Sequence, residues 1–281
     1  MKILAAAVTY NRKSLLERCI LALKSQTYSD FEILVINNGS TDGTSDWLAE
    51  NGIPYITQEN SGGAGGFYRA VEEGLAGKFD WIWCMDDDGY PDRSALSELI
   101  NYCSEDTACI NSLVVSDQDS ARICFHLPYV KNGNPVLKRP MKSLVELKNH
   151  SEDGRTVPFG SFFNGTLISL DYVRKAGNVR KEFFIWGDEV EYAWRLMKFG
   201  KVITVLSALH FHPMTALSVP DWKLYYGLRN AIYINNHTLN YSLIRNTRTV
   251  LKFLIKFIRI GNISLFFRAL TDGFRGRLGR L

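Results

Sequence analysis

From residue 2 to residue 92 the chain repeats one unit: a short apolar run, a cluster of polar and glycine residues, then an amphipathic pattern. The runs are "KILAAAV", "FEILVIN", "IPYIT" and "WIWCM", and the clusters that close them are "TYNR", "NNGSTD", "ENSGGAGG" and "DDD". Short apolar runs that alternate with segments of period 3.6 build a parallel α/β sheet with helices on its faces. The spacing predicts helices from Ser14, over Thr44–Glu50 and over 66–74. The first opens on a Ser14/Glu17 capping box, with Leu15, Leu16, Cys19, Ile20 and Leu23 at helical intervals. Open sheets of this kind bind ligands beyond the carboxyl ends of their strands, so four polar strand ends converge on one crevice. Residues 101–155 are less regular, and ordered signals return at "FFNGTLISLDYVRKAG", "FFIWGDEVEYAWRLMKFG" and "KVITVLSALHFHP".

With 281 residues and 46% hydrophobic content, the chain can bury a sizeable core as one large domain or two small ones, which excludes general disorder. Five cysteines without a C-x-x-C pair fit reduced core residues better than a disulfide frame, and point to the cytosol or a surface facing it. The apolar start is too short for a signal peptide, and no uncharged run reaches the ~18 residues that span a bilayer. The net charge of +4 is unevenly placed: from Tyr241 onward nine Arg or Lys face one acid, Asp272. Such a tail suits an anionic surface, membrane or nucleic acid. Arg245, Arg248, Lys252, Lys256 and Arg259 recur every three or four positions among Leu251, Phe253, Leu254, Ile255, Phe257 and Ile258. That spacing predicts either an interfacial helix or a helix packed on the domain with a solvated basic stripe.

The stretch "FDWIWCMDDDGYPD" sets Asp86, Asp87 and Asp88 directly behind an apolar strand. Like charge and desolvation both raise carboxylate pKa values, so three acids there need compensation. A divalent cation supplies it, and oxygen donors suit Mg²⁺ or Mn²⁺ with positions left for phosphates. The plainer alternative, a solvated acidic turn before a helix, suits Asp92 better than the three acids. The stretch "NSGGAGGFYRA" lets backbone approach a ligand closely and offers N–H groups at a helix start, although it is neither G-x-G-x-x-G nor a P-loop. "FFIWGDEVEYAWR" places Asp188 and Glu189 at a helix start, stabilised and open to a cleft, where either can serve as general base towards a hydroxyl. Glu191 and Arg195, four apart, pair on that helix. "HFHP" sends His210 and His212 to one side at a strand end, on the same rim as the acids, where a neutral imidazole completes a metal site.

Taken in order, "VTYNR", "INNGSTDGT", "ENSGGAGGFYRA" and "DDD", with a later acidic motif and a histidine, resemble the family 2 glycosyltransferases of GT-A fold over residues 2–230. "FFNGTLIS", "FFIWGDEVEY", "HFHP" and "YYGLRN" resemble the galactofuranosyltransferase subgroup, with rhamnosyltransferases as close relatives. The resemblance implies a mostly parallel, Rossmann-like nucleotide-binding sheet flanked by helices, with a C-terminal helical extension. A catalytic domain over 1–235 would carry nucleotide-sugar binding in about 1–100 and the acceptor and base region in about 155–235, with a basic membrane-associating tail over 236–281.

By the same resemblance Thr9, Asn11, Arg12, Asn38, Asn60 and Gly63 surround the nucleotide, and Asp86 and Asp87 its ribose and phosphates. Asp86, Asp88 and His212 hold Mn²⁺ or Mg²⁺ and Glu189 is the base, while Trp186 and Phe163, with Phe162 and Trp194, either offer apolar faces to the acceptor or fill the core. The implied activity is inverting transfer of galactofuranose from UDP-galactofuranose to a glycan or lipid-linked glycan hydroxyl, as in O-antigen or other cell-surface polysaccharide synthesis. The implied setting is cytoplasmic and peripheral on the inner membrane, with anionic lipid rather than nucleic acid as the tail's partner. A rhamnosyltransferase using dTDP-rhamnose is the alternative, and a non-catalytic sugar-binding module would need neither Glu189 nor the metal acids. Two positions depart from the pattern: Asn37 stands where an acid usually opens the second motif, and Glu189 stands for Asp, which could pass the base role to Asp188.

Overall fold

A computed structural model describes residues 1–214 and 219–281. The repeated unit folds as β1 (Ile3–Thr9), α1 (Lys13–Lys24), β2 (Glu32–Asn37), α2 (Thr44–Glu50), β3 (Tyr55–Thr57), α3 (Gly62–Ala76) and β4 (Trp81–Asp86). These four strands are parallel in the order β3-β2-β1-β4. Their side chains divide with period two. Ile3, Ala5 and Ala7 pack with Leu16, Ile20 and Leu23 of α1 on one face, while Leu4, Ala6 and Val8 meet Phe67, Ala70 and Val71 of α3 on the other. Burial on both faces is why the strands read as unbroken apolar runs.

The chain continues through β5 (Tyr90–Pro91), α4 (Ala95–Ile100), β6 (Thr107–Ser116), a small hairpin of β7 (Val130–Lys131) and β8 (Asn134–Pro135), α5 (Leu144–His150) and β9 (Thr156–Pro158). It then forms β10 (Asn164–Ser169), α6 (Leu170–Ala176), α7 (Asp188–Leu196) and β11 (Lys201–His212). Among the described residues the sheet has nine strands in the order β3-β2-β1-β4-β10-β6-β11-β5, with β9 also on β11. Because β10 is antiparallel to both β4 and β6, and β11 is parallel to β6, the carboxyl ends of β6 and β11 share the edge reached by β1 to β4.

Three local expectations change. Helix α1 begins at Lys13 without a capping side chain of its own, and the Lys13 N–H donates instead to Asp42, 3.0 Å away in the loop after β2. Helix α3 begins at Gly62, four residues before the expected start. The irregular middle contains β6, buried along its whole length at the heart of the sheet. All five cysteines are free, and Cys19, Cys84 and Cys109 are buried.

Helices α8 (Asp221–His237), α9 (Ser242–Arg259) and α10 (Ile263–Arg275) close the chain. They share a core of Leu224, Tyr226, Leu228, Ile232, Phe257, Phe266 and Ala269, so α8 runs through the expected boundary at 235 and packs with the tail. The outer side of α9 leaves Leu251, Ile255 and Ile258 exposed beside Arg248, Lys252 and Arg259. Among the described residues no helix is long and apolar enough to cross a membrane.

Candidate active site

Strand β4 leaves the sheet at Asp86, whose N–H donates to the carbonyl of Phe163 at 2.9 Å. Asp87 turns inward beneath β1 and accepts from Thr9 Oγ1 at 2.7 Å and from Arg12 Nη1 at 3.1 Å. Asp88 accepts from the same Nη1 at 2.7 Å, and its other oxygen faces His212 Nε2 at 3.2 Å. Topology produces that last meeting. β5 starts two residues later and pairs with β11 at His210 and Phe211, which draws the turn to the end of β11. Gly89 permits the approach, since a Cβ there would lie 2.3 Å from His210 Nε2. Arg18, unremarked in the sequence pattern, adds a bond from Nη2 to the Asp88 carbonyl at 2.9 Å.

The electrostatics differ along the three acids. Burial, then the charges of Asp88 and Asp87, push the Asp86 carboxyl well above the usual carboxylate range. Burial also raises Asp87, against the pull of Arg12 and Thr9. For Asp88 burial is outweighed by the contact with His212 and by the charges of His212 and Arg12, which bring it down to about 2. Burial would lower the His212 imidazolium, but Asp88 and Cys124 raise it to about 10. His210 is fully buried, lies between Gly89 and Gly165, and finds no hydrogen-bond partner for either ring nitrogen. Burial, then the charge of His212, holds it down at about 3, so it is a neutral core residue and His212 is the histidine that meets the acids.

The loops beside β1 and β2 tie to one another. Asn11, in the left-handed region at φ 52°, accepts from the Thr41 N–H at 2.7 Å, and its own N–H donates to Ser40 Oγ at 2.9 Å. Asn37 accepts from the Ser40 N–H and donates to Ser45 Oγ at 2.8 Å. An ionised Asp at this position could keep the second contact only by accepting from the Ser45 hydroxyl. Asn38 is 2% exposed and links Gly62 O to Gln58 Nε2, while Asn60 Oδ1 accepts from the Gly62 N–H at 2.9 Å. The close approach allowed by the glycine-rich stretch is, at Gly62, an approach to protein. Its φ is +75° and a Cβ would lie 1.9 Å from the carbonyl oxygen of Phe184. Gly63 has open space where its side chain would be.

Phe184, Trp186 and Gly187 all have positive φ, at 68°, 60° and 100°. This bent segment is held by Asn230 of α8, whose Nδ2 donates to the carbonyls of Phe183, Ile185 and Trp186, and by Arg229 Nη2, which reaches Phe183 O at 2.9 Å. The motif "YYGLRN" carried both residues in the sequence, but nothing local in it signals that they brace another loop. Glu189 Oε2 accepts from the Gly187 N–H at 2.8 Å. Asp188 is 4% exposed rather than open to the cleft, and burial followed by the charge of Glu189 pushes its carboxyl well up, with Asp86 adding to the rise. Glu191 and Arg195 pair as their spacing predicts, at 2.9 Å.

The aromatic expectations are corrected in part. Phe163 is 3% exposed and stacks on Phe67 with ring centroids 3.8 Å apart, so it fills the core and serves the site through the carbonyl that holds Asp86. Phe162 and Trp194 are buried too, whereas Trp186 remains half-buried against Gly227 with Lys223 Nζ 5.8 Å from its ring.

Among the described residues no three His, Cys, Asp or Glu side chains stand together as a ready ion cage. The donor set nevertheless fits Mn²⁺ or Mg²⁺. Asp88 Oδ1 is buried without a hydrogen bond, Asp86 crowds beside it, and the one imidazole stands 3.2 Å from that unbonded oxygen. The arrangement can gather a polyanion at the strand ends and present carboxylates to a hydroxyl.

In architecture the chain is similar to GalNAc-T7 solved with UDP, GalNAc and Mn²⁺, with a TM-score of 0.66 at 13% identity over 86% of this chain and 49% of that one. It is also similar to the mannosyltransferase PcManGT of Pyrobaculum calidifontis solved with GDP-Man and Mn²⁺, with a TM-score of 0.59 at 12% identity over 98% of this chain and 87% of the other. The fold is the mostly parallel α/β sheet of the GT-A glycosyltransferases, with added C-terminal helices.

In sequence, residues 6–157 match the family model described as Glycosyl transferase family 2. The chain is 32% identical over 216 residues to the galactofuranosyltransferase GlfT1 of Mycolicibacterium smegmatis (strain ATCC 700084 / mc(2)155), covering 74% of this chain and 70% of that protein. GlfT1 of Mycobacterium tuberculosis (strain ATCC 25618 / H37Rv) is 30% identical over 220 residues, 75% of this chain and 70% of its own. The chain belongs to glycosyl transferase family 2.

Proposed function

We propose that the protein transfers galactofuranose with inversion from UDP-galactofuranose to a hydroxyl of a glycan or lipid-linked glycan, at the cytoplasmic face of a membrane. The observation that carries this is the meeting of two acidic groups at one sheet edge: Asp86, Asp87 and Asp88 behind β4, and Asp188 with Glu189 at the start of α7, close enough for Asp86 to perturb Asp188. The donor sugar is taken from the relatives' names, the sequences covering about three quarters of the chain.

In this assignment Thr9, Asn11, Arg12, Asn38, Asn60, Gly63, Asp86 and Asp87 frame the nucleotide, either by contact or by fixing the loops that make contact. Asp86, Asp88 and His212 hold Mn²⁺ or Mg²⁺, which when bound supplies positive charge opposite the departing diphosphate. Arg12 gives its Nη1 to the acids in the structure and exchanges one of them for a phosphate oxygen. Glu189 takes the proton of the acceptor hydroxyl as its oxygen bonds to the anomeric carbon, on the face opposite the breaking bond to UDP. Asp188, buried and with its carboxyl pushed well up by that burial, positions the start of α7, and Trp186 offers its ring to the acceptor sugar. The exposed Leu251, Ile255 and Ile258 of α9, with the basic residues beside them, lie on an anionic membrane.

A panel of nucleotide sugars in Mn²⁺, read by thermal shift and then by transfer, tests the proposal. UDP-galactofuranose should give the largest rise and a product of inverted anomeric configuration. A larger rise and faster transfer with dTDP-rhamnose would overturn the donor, and binding without transfer from any donor would overturn the activity.

A further inference from the structure

Away from the carboxylates, α8, α10 and the last residues form an open cavity of about 570 Å³ lined by Arg229, Arg268, Arg277 and Arg280, with Asp272 the one acid in its lining. Arg229 is 1% exposed. Its Nε donates to Asn230 Oδ1 at 2.8 Å, Nη2 to the Phe183 carbonyl at 2.9 Å, and Nη1 to the Gly279 carbonyl. These partners are neutral, and among the described residues no carboxylate forms an ion pair with it. Asp272 is engaged elsewhere: Tyr225 Oη donates to it at 2.8 Å, and Arg268 Nε stands 3.9 Å away. The Tyr225 ring lies near both guanidiniums, 5.5 Å from that of Arg229 and 5.9 Å from that of Arg268.

A buried cation compensated only by carbonyl dipoles keeps its positive field, and three exposed arginines add to that field at the mouth. Four guanidiniums against one occupied carboxylate leave a strong positive excess in a space large enough for a diphosphate. Guanidinium forks match the oxygen spacing of phosphate, and Thr271 adds a hydroxyl donor to the lining. Burial draws the Arg229 pKa downward, and it outweighs the opposing pull of Tyr225, Tyr226 and the more distant Asp272.

We propose that this cavity binds a phosphate or diphosphate group, an anion site separate from the carboxylate edge and independent of the transferase activity. The group can come from a lipid headgroup or from a soluble phosphate compound. Phe267, 58% exposed, is part of the lining and offers an apolar surface where a lipid would sit. Arg229 joins the cavity wall to the loop that carries Trp186 and Glu189, because it and its neighbour Asn230 both hold the Phe183 carbonyl.

Calorimetry with inorganic pyrophosphate in EDTA tests the site on the full chain. Wild type should bind, the combined Arg268→Ala, Arg277→Ala and Arg280→Ala variant should bind at least about tenfold more weakly, and Asp272→Asn several-fold more tightly. The charge-matched variant Arg248→Ala, Lys252→Ala and Arg259→Ala on α9 should bind like wild type. Equal binding in wild type and the 268/277/280 variant, no binding in wild type, or a loss in Arg12→Ala instead would overturn the proposal. Sedimentation with phosphatidylcholine vesicles, with and without phosphatidic acid, separates the sources. If the 268/277/280 variant loses the phosphatidic-acid-dependent fraction, the occupant is a lipid headgroup. If it loses pyrophosphate binding alone, the occupant is a soluble phosphate.

Discussion

At the end of β4, Asp87 and Asp88 share Arg12 Nη1 and Asp88 faces His212, whereas behind α10 Arg229 is ringed by carbonyls and Asp272 is turned to Tyr225. Both regions crowd like charge at low exposure. The acidic one carries internal cations that can be exchanged for a ligand, so its resting state is already largely neutralised. The basic one has dipoles but no free counter-anion. Removing a charge should therefore act in opposite directions: an acid lost from the strand end relieves repulsion and harms chemistry, while Arg229 lost from the cavity strands the carbonyls it satisfies.

The first consequence is a separation of activity from stability. Asp86→Asn should lower transfer by about 10³-fold or more while leaving the urea midpoint near that of wild type, since burial and the charges of Asp88 and Asp87 already disfavour its carboxylate, and EDTA should act like the substitution until Mn²⁺ returns. A variant with full transfer, or one that loses both together, would remove the contrast. Arg229→Met should do the reverse, with a loss of about 3 kcal/mol in urea unfolding, since the Phe183 and Gly279 carbonyls lose their donor. An unchanged midpoint would mean that those carbonyls are satisfied in another way.

The two regions also differ in how far the sequence disclosed them. Asp86, Asp87 and Asp88 stand together in the chain behind an apolar run, so local pattern and like-charge repulsion pointed to them directly. The strands β1 to β4 were legible in a similar way: each is a short apolar run that ends in polar residues, and β1 and β4 bury both faces. Strand β6 was not, because Thr107, Asn111 and Ser112 interrupt its apolar run, and only the folded sheet shows Asn111 bonded to Ile203 O and Thr166 Oγ1. The choice between His210 and His212 turned on β5 pairing with β11, a contact about 120 residues apart in the chain. Phe163 read equally as an acceptor-facing ring or a core ring, because an aromatic side chain suits either place. Its ring is in fact stacked on Phe67. The cavity around Arg229 draws on α8, α10 and the last residues, and no window of sequence contains it.

Within the acidic region the same comparison applies to neighbours. Glu189→Gln should reduce kcat by about 10²-fold with little change in KM, as expected for a base that acts only as the hydroxyl attacks. Asp188→Asn should cost less, because its carboxyl is buried and that burial disfavours the carboxylate form a base needs. Equal losses in the two variants, or a greater loss at Asp188, would transfer the base role.

The smallest effect follows from Asp188 itself and separates a buried acid from an exposed one. Burial, followed by the charge of Glu189, raises its folded pKa above the usual value of about 3.9, so protonation favours the folded state. Its contribution to stability is present in full below that unfolded value and is lost as pH rises through the raised folded pKa. Asn cannot ionise and loses nothing over the same range. In urea titrations from acid to neutral pH, Asp188→Asn should therefore gain stability relative to wild type as pH increases. A constant difference across that range would show that Asp188 ionises as readily in the folded chain as in the unfolded one, and the carboxylate would again be open to the base role that its burial denies it.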